Sequence, residues 1–212
     1  MAGARPVRIA VTEWNTTAGD WELGRAALQT LGNALSVARY HNLMHRHADS
    51  VEIAIRSNLI DSFGSGVILT GPGWLYVAPA YHAQCLYARA AGSFPVRVER
   101  HVHESGAPLP WNLDEPDLSA TLSADGRTLR VYGVNATAQR LEVKAELAGW
   151  KTRVGKGTMH VVREAERSGT PEILNSRDEP ERVKVFSQPA AWKGATGVFS
   201  FEPFSVTLYE LQ

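Results

Sequence analysis

Residues 7–15 read VRIAVTEWN. The run VRIAV at 7–11 has the apolar character expected of a strand buried on both faces, and Glu13 stands just past its end. From Trp21 to about His47 the residues Leu23, Ala27, Leu31, Leu35 and Ala38 recur at spacings of three and four, the period of an amphipathic helix. A second strand follows at VEIAI, 51–55. VILT and WLYV, flanking Gly71-Pro72-Gly73, then form a hairpin, and Pro79 opens another helix running through Tyr81 to about Ala91. Strand, helix, strand, helix is the unit of a parallel α/β structure, in which functional groups gather at the carboxyl ends of strands. Glu13 occupies such an end.

Beyond Gly92 the period changes to two. The segments starting at Pro95, Leu118, Leu129, Leu141 and Phe204 all alternate in this way, and Asp125-Gly126 marks a hairpin turn between two of them. Short alternating strands with polar turns predict an antiparallel β-sandwich. The reading is thus α/β followed by all-β, with a boundary near residue 92 and domains at 1–92 and 93–212.

Composition narrows the function classes. The 212 residues carry 22 basic and 22 acidic side chains and are 44% hydrophobic, which suits a globular protein of one or two domains. Zero net charge without a basic run gives no footprint for nucleic acid or an anionic membrane surface, so neither is an expected partner. The single cysteine, Cys85, cannot form an internal disulfide and is expected as a small buried residue of the second helix. With no signal-like or membrane-spanning stretch, the sequence reads as cytoplasmic.

The segments IAVTEWN (9–15), HRHAD (45–49), VEIAIRSNL (51–59) and LYVAPAYHAQCLYARAAG (75–92) occur in an order that resembles the end of the catalytic barrel in glycoside hydrolase family 51 α-L-arabinofuranosidases. LDEPDLSATLSADGRTLRVYGVN (113–135) and FEPFSVTLYELQ (201–212) are similar to that family's C-terminal sandwich, so the resemblance covers nearly the whole chain. It implies the C-terminal part of a (β/α)8 TIM barrel joined to an antiparallel, jelly-roll-like β-sandwich. The family's seventh strand ends in Asp-Glu-Trp-Asn with the Glu as nucleophile. Here the same positions are Thr12, Glu13, Trp14 and Asn15, which makes Glu13 the implied catalytic nucleophile while Thr12 departs from the pattern. The family's acid/base is the Glu of an Asn-Glu pair, and no asparagine in this chain is followed by glutamate.

The resemblance further implies retaining hydrolysis of terminal non-reducing α-L-arabinofuranosyl groups, arabinose-containing oligosaccharides or polysaccharides as substrate, no metal or organic cofactor, and a homo-oligomer when complete. A full barrel takes roughly 250 residues, so residues 1–92 amount to about two strand–helix units and the chain alone is expected to be inactive. Exposed strand edges and apolar helix faces should result. Trp14 is a candidate sugar platform or a rim-filling residue. Asn58 is a candidate substrate-binding amide, or a capping and turn residue beside Ser57.

The competing readings are a non-catalytic carbohydrate-binding or assembly module, with Trp111, Trp150 and Trp192 as candidate platforms, and a related retaining glycosidase with another sugar preference. His41 and His45, four apart on the first helix, have a metal-binding spacing, but a helix C-terminus favours polar and cationic residues anyway and no third ligand is evident. His101 and His103 read as surface residues of a strand. Asn15-Thr-Thr and Asn135-Ala-Thr match the glycosylation pattern, and neither is read as modified.

Overall fold

A computed structural model describes residues 7–16, 25–62, 65–91, 93–100, 115–150 and 155–212. Strand β1 (Ile9–Trp14) leads through a short 3-10 turn (Arg25–Gln29) to helix α1 (Leu31–Arg46) and then to β2 (Val51–Arg56), which pairs parallel to β1. The described helix is shorter than its sequence pattern. Thr30 fixes its start, with Oγ1 accepting from the Asn33 amide at 3.3 Å, a side-chain N-cap. Trp21 and Leu23 lie outside the described residues. The hairpin of β3 (Ile68–Gly71) and β4 (Trp74–Val77) turns at Gly73, whose φ of +76° suits a residue without a Cβ. Helix α2 (Pro79–Ala88) begins with proline at its first turn.

The remaining strands are β5 (Ser93–Val96), β6 (Asp117–Ser123), β7 (Leu129–Asn135), β8 (Leu141–Glu146), β9 (Gly155–Glu164), β10 (Val183–Trp192), β11 (Thr196–Phe201) and β12 (Ser205–Leu211). Among the described residues the chain is therefore mostly β-structure with two α-helices. Six of these strands form an antiparallel sheet in the order β10-β9-β12-β7-β6-β5, and β11 pairs with β8 in a second, two-stranded sheet. Gly126, with φ +70°, makes the expected turn between β6 and β7.

The central strands of the six-stranded sheet are buried on both faces. One face packs Tyr132, Val134, Val162, Val206 and Leu208 against Leu31, Leu35, Val37 and Ala38 of α1 and Ala83, Leu86 and Tyr87 of α2. The other packs Leu118, Val131, Val161 and Leu211 against Phe199, Phe201 and Val143 of the small sheet. Helices, large sheet and small sheet thus form three layers. This departs from the simple inside–outside alternation expected of a sandwich strand: five consecutive residues are buried in each of β6, β7 and β12. A Cβ on Gly133 would run into the Phe201 ring, so the two sheets touch there only because the residue is glycine.

Two expectations are corrected. The VRIAV run is not buried on both faces: Ile9 is 47% exposed and Val7 82%, because among the described residues β1 has a single neighbouring strand, β2. Cys85 is exposed rather than a core residue. Helix α2 buries Pro79, Ala80, Ala83, Leu86 and Tyr87, and position 85 falls out of phase with that stripe. No helix among the described residues is long and apolar enough to cross a membrane.

A buried polar knot joins α1 to the sheet. The Asn42 amide, fully buried, donates to the Asp117 carbonyl at 2.8 Å and to Asp117 Oδ1 at 2.9 Å, and accepts from Tyr87 and Ser119, each at 2.6 Å. Arg46 reaches Asp117 at 2.7 Å. Replacing Asn42 by alanine leaves several of these groups without partners, each costing about 1–3 kcal/mol when buried. Urea denaturation of Asn42→Ala is expected to show a loss of roughly 2–4 kcal/mol, whereas Ser36→Ala on the exposed side of the same helix should stay within about 0.5 kcal/mol of the parent.

Candidate functional site

The carboxyl ends of β1 and β2 lie side by side, with Trp14 in register with Arg56. Two contacts hold them there. The Ser57 amide donates to the Trp14 carbonyl at 3.0 Å, and the Asn15 side-chain amide donates to the Ser57 carbonyl at 3.2 Å. Glu13, one residue before Trp14, is exposed at this edge. Trp14, beyond an irregularity in the β1–β2 register, is by contrast 6% exposed. Its ring lies 4.7 Å from Tyr40 and 5.2 Å, edge-on, from His41. Trp14 thus fills a space between β1 and α1, and its buried Nε1 has no partner among the described residues.

Asn58 is exposed and adopts φ 60°, a left-handed conformation that asparagine tolerates better than most residues. Its side-chain oxygen accepts from Ser62 Oγ at 3.0 Å. The turn role weighed for it is therefore realised locally, at the carboxyl end of β2 and in the same region as Glu13.

Arg56 is a site residue that the sequence did not single out. It is half-buried, its Nη2 donates to Asn15 Oδ1 at 3.1 Å, and its guanidinium carbon stands 6.0 Å from the Trp14 ring. Its Nε and Nη1 are buried without partners among the described residues. Burial lowers its pKa, yet a guanidinium remains a cation at any working pH. An arginine following an apolar strand carries no local signal for this role. Its one sequence clue is its place at the end of β2, level with the end of β1.

His41 and His45 are each engaged by neighbouring side chains. His41 stacks on Tyr87 at 4.6 Å and contacts Gln84 Oε1 through Nε2 at 3.1 Å; His45 Nδ1 meets Ser119 Oγ at 3.0 Å. No group of three potential metal-binding side chains occurs among the described residues. His45 lies in the last turn of α1, and the rings of both histidines pack among aromatic side chains. His101, His103 and Trp111 lie outside the described residues. Trp192 is 4% exposed and stacks on Phe199 at 4.5 Å, while Trp150 packs partly buried against the same cluster. Trp192 is therefore a core residue and not a sugar platform. Asn135 is fully buried, its amide nitrogen donating to the carbonyls of Gln139, Phe201 and Glu202. Asn15 is likewise engaged by Ser57, Thr16 and Arg56.

Comparison with known proteins places this geometry in context. The family model described as the α-L-arabinofuranosidase C-terminal domain matches residues 12–205. No curated protein matches the chain. Among solved structures, the chain is similar to an α-L-arabinofuranosidase from Thermotoga maritima in complex with arabinose, with TM-score 0.74, 22% identity, and coverage of 96% of this chain and 42% of that one. It is also similar to a family 51 arabinofuranosidase from Xanthomonas axonopodis pv. citri, with TM-score 0.74, 19% identity and coverage of 97% and 41%. A family 30 subfamily 8 xylanase from Clostridium acetobutylicum matches with TM-score 0.60 and 10% identity, covering 100% of this chain and 47% of that one. The chain spans less than half the length of these three structures, and at such identities the likeness establishes fold.

Burial pulls both histidines down to about 4. For His41 the Gln84 contact opposes burial and the Arg56 charge adds to it; for His45 the charges of His41 and Arg46 add. Because each folded-state value lies below the ordinary 6.5, the unfolded chain binds more protons between the two values. Stability should therefore fall as pH drops from about 6.5 to about 4, by on the order of 3 kcal/mol per histidine at most. Urea denaturation at pH 7.0 and pH 4.5 measures this, and His41→Gln should lose less stability over that interval than the parent.

Proposed function

Because the chain belongs to the α-L-arabinofuranosidase C-terminal domain family, we propose that it is the C-terminal portion of a retaining α-L-arabinofuranosidase with Glu13 as nucleophile. The observation that carries this reading is the position of Glu13. It is an exposed carboxylate at the carboxyl end of a parallel strand, on a backbone pinned to β2 through Asn15 and Ser57 and backed by the buried Trp14. Reacting groups on α/β scaffolds collect at such strand ends.

In this mechanism the Glu13 carboxylate attacks the anomeric carbon of a terminal α-L-arabinofuranosyl group as an acid protonates the departing oxygen. Water then opens the glycosyl-enzyme ester and restores the carboxylate. The two carboxyl groups stand about 5–5.5 Å apart in retaining enzymes. The acid/base comes from outside this chain, which has no Asn-Glu pair. Residues 1–92 then represent the end of the barrel and 93–212 the appended sandwich. The exposed apolar side chains Val7, Ile9, Ile53 and Ile55 along β1 and β2 support this division, since further strand–helix units would cover them. The exposed Asn58 stands at the carboxyl end of β2, where hydroxyls of a bound sugar need partners.

Aryl α-L-arabinofuranoside hydrolysis tests the proposal, with this chain measured beside the same chain carrying its native upstream coding sequence. The short chain is expected to be inactive and the extended one active. Glu13→Ala should reduce kcat of the extended protein by a factor on the order of 10⁴ or more. A preference of the extended protein for an aryl β-xyloside would instead assign it the sugar chemistry of the family 30 relative, and undiminished turnover by Glu13→Ala would remove the nucleophile.

A further inference from the structure

A second concavity, independent of Glu13, opens where three connections of the sheet layers meet the first turn of α1. Its volume is about 370 Å³, within the range of small-molecule sites. Leu31 and Phe204 line it from the side of the helix-facing core. Leu31 is 1% exposed. The walls are fixed by Asn135, whose buried amide ties Gln139 of the β7–β8 turn to Phe201 and Glu202 at the end of β11.

The charge of this pocket is unbalanced. Arg140, Arg163 and Arg167 all line it. Of its two carboxylates, Glu164 is already engaged by Arg182 at 3.2 Å and by the amide and hydroxyl of Ser168. Glu202 alone faces the arginines, meeting Arg163 at 2.9 Å and Arg167 at 3.2 Å. Arg140 donates through Nε to Ser200 Oγ, and its nearest carboxylate, Glu142, is 3.9 Å away. Arg140 and Arg167 have side chains 64% and 62% exposed, so their forked donors are open to a ligand. The lining also holds Arg167 at φ 60° and Phe204 at φ 41°, conformations that cost on the order of 1–3 kcal/mol in non-glycine residues and concentrate at functional sites.

We propose that this pocket binds a carboxylated sugar unit, a uronic acid. The apolar face of the ring lies on the partly exposed Phe204, the carboxylate is received by Arg140 and Arg167, and ring hydroxyls donate to Glu202. Guanidinium forks match carboxylates in a bidentate manner, and the apolar base distinguishes a sugar acid from a bare anion. Such a site would hold acidic side groups of a polysaccharide away from the Glu13 edge.

Isothermal titration of the purified chain with sodium D-glucuronate, L-arabinose and sodium acetate, at matched ionic strength, tests the assignment. Glucuronate is expected to bind at least tenfold more tightly than either of the others and to weaken as salt is raised. Arg140→Gln combined with Arg167→Gln should weaken glucuronate at least tenfold with an unchanged thermal midpoint, and Arg140→Lys should retain part of the affinity. Glu13→Gln should leave binding unaltered, which separates this site from the catalytic proposal. Equal binding of arabinose, equal binding of acetate, or indifference to the double arginine substitution would each overturn it.

Discussion

Asp117 carries a negative charge where β6 begins, 4% exposed beneath α1. A carboxylate in such a place is costly unless it is paired and hydrogen-bonded. Arg46 at 2.7 Å, Arg39 at 3.5 Å and the Asn42 amide at 2.9 Å supply what it needs, all from one helix. Residues 39, 42 and 46 lie three and four apart and so share one face. The ion therefore fixes the rotation of α1 about its axis as well as its distance from the sheet. Once that rotation is set, Tyr40 and His41 turn toward Trp14, and Trp14 seats the end of β1. The geometry around Glu13 thus depends on a charge more than a hundred residues away in sequence, because a misrotated helix would strand Asp117 in an apolar layer.

The same dependence explains what could be read from the amino-acid order. Strands β6, β7 and β12 announce themselves by apolar content, yet their burial on both faces follows only from the helices lying on one side and the small sheet on the other. Strands β9 and β10 gave little warning. GKGTMHVVRE opens with glycines and a lysine, and VKVFSQPAAW contains Pro189. That proline is tolerated because β10 is an edge of the six-stranded sheet, where a missing N–H leaves no ladder broken. Edge status is a property of topology and has no local signature.

Around Glu13 the legible parts were those encoded by spacing: a carboxylate at the end of an apolar strand, an asparagine where the neighbouring strand ends, and a tryptophan for which filling space was one of two roles offered. Arg56 was invisible because its importance comes from facing Trp14 and Asn15 across a parallel pair. Cys85 was misplaced for a related reason. The helix pattern was recognised, but one more phase angle was needed to see that Ala83, Leu86 and Tyr87 face inward together. The arginine pocket belongs to the same class, since Arg140 joins Arg163 and Arg167 only when the β7–β8 connection folds beside the end of β9.

Strand β12 lies between β9 and β7, in the middle of the six-stranded sheet. Every ladder bond on its two sides joins residues 205–211 to strands made earlier. On the ribosome, the halves β10-β9 and β7-β6-β5 therefore remain separate ribbons with open facing edges until residue 211 has been released. Formation of this sheet is tied to the synthesis of β12, and a chain stalled before that strand would present two sticky edges to its neighbours in the polysome.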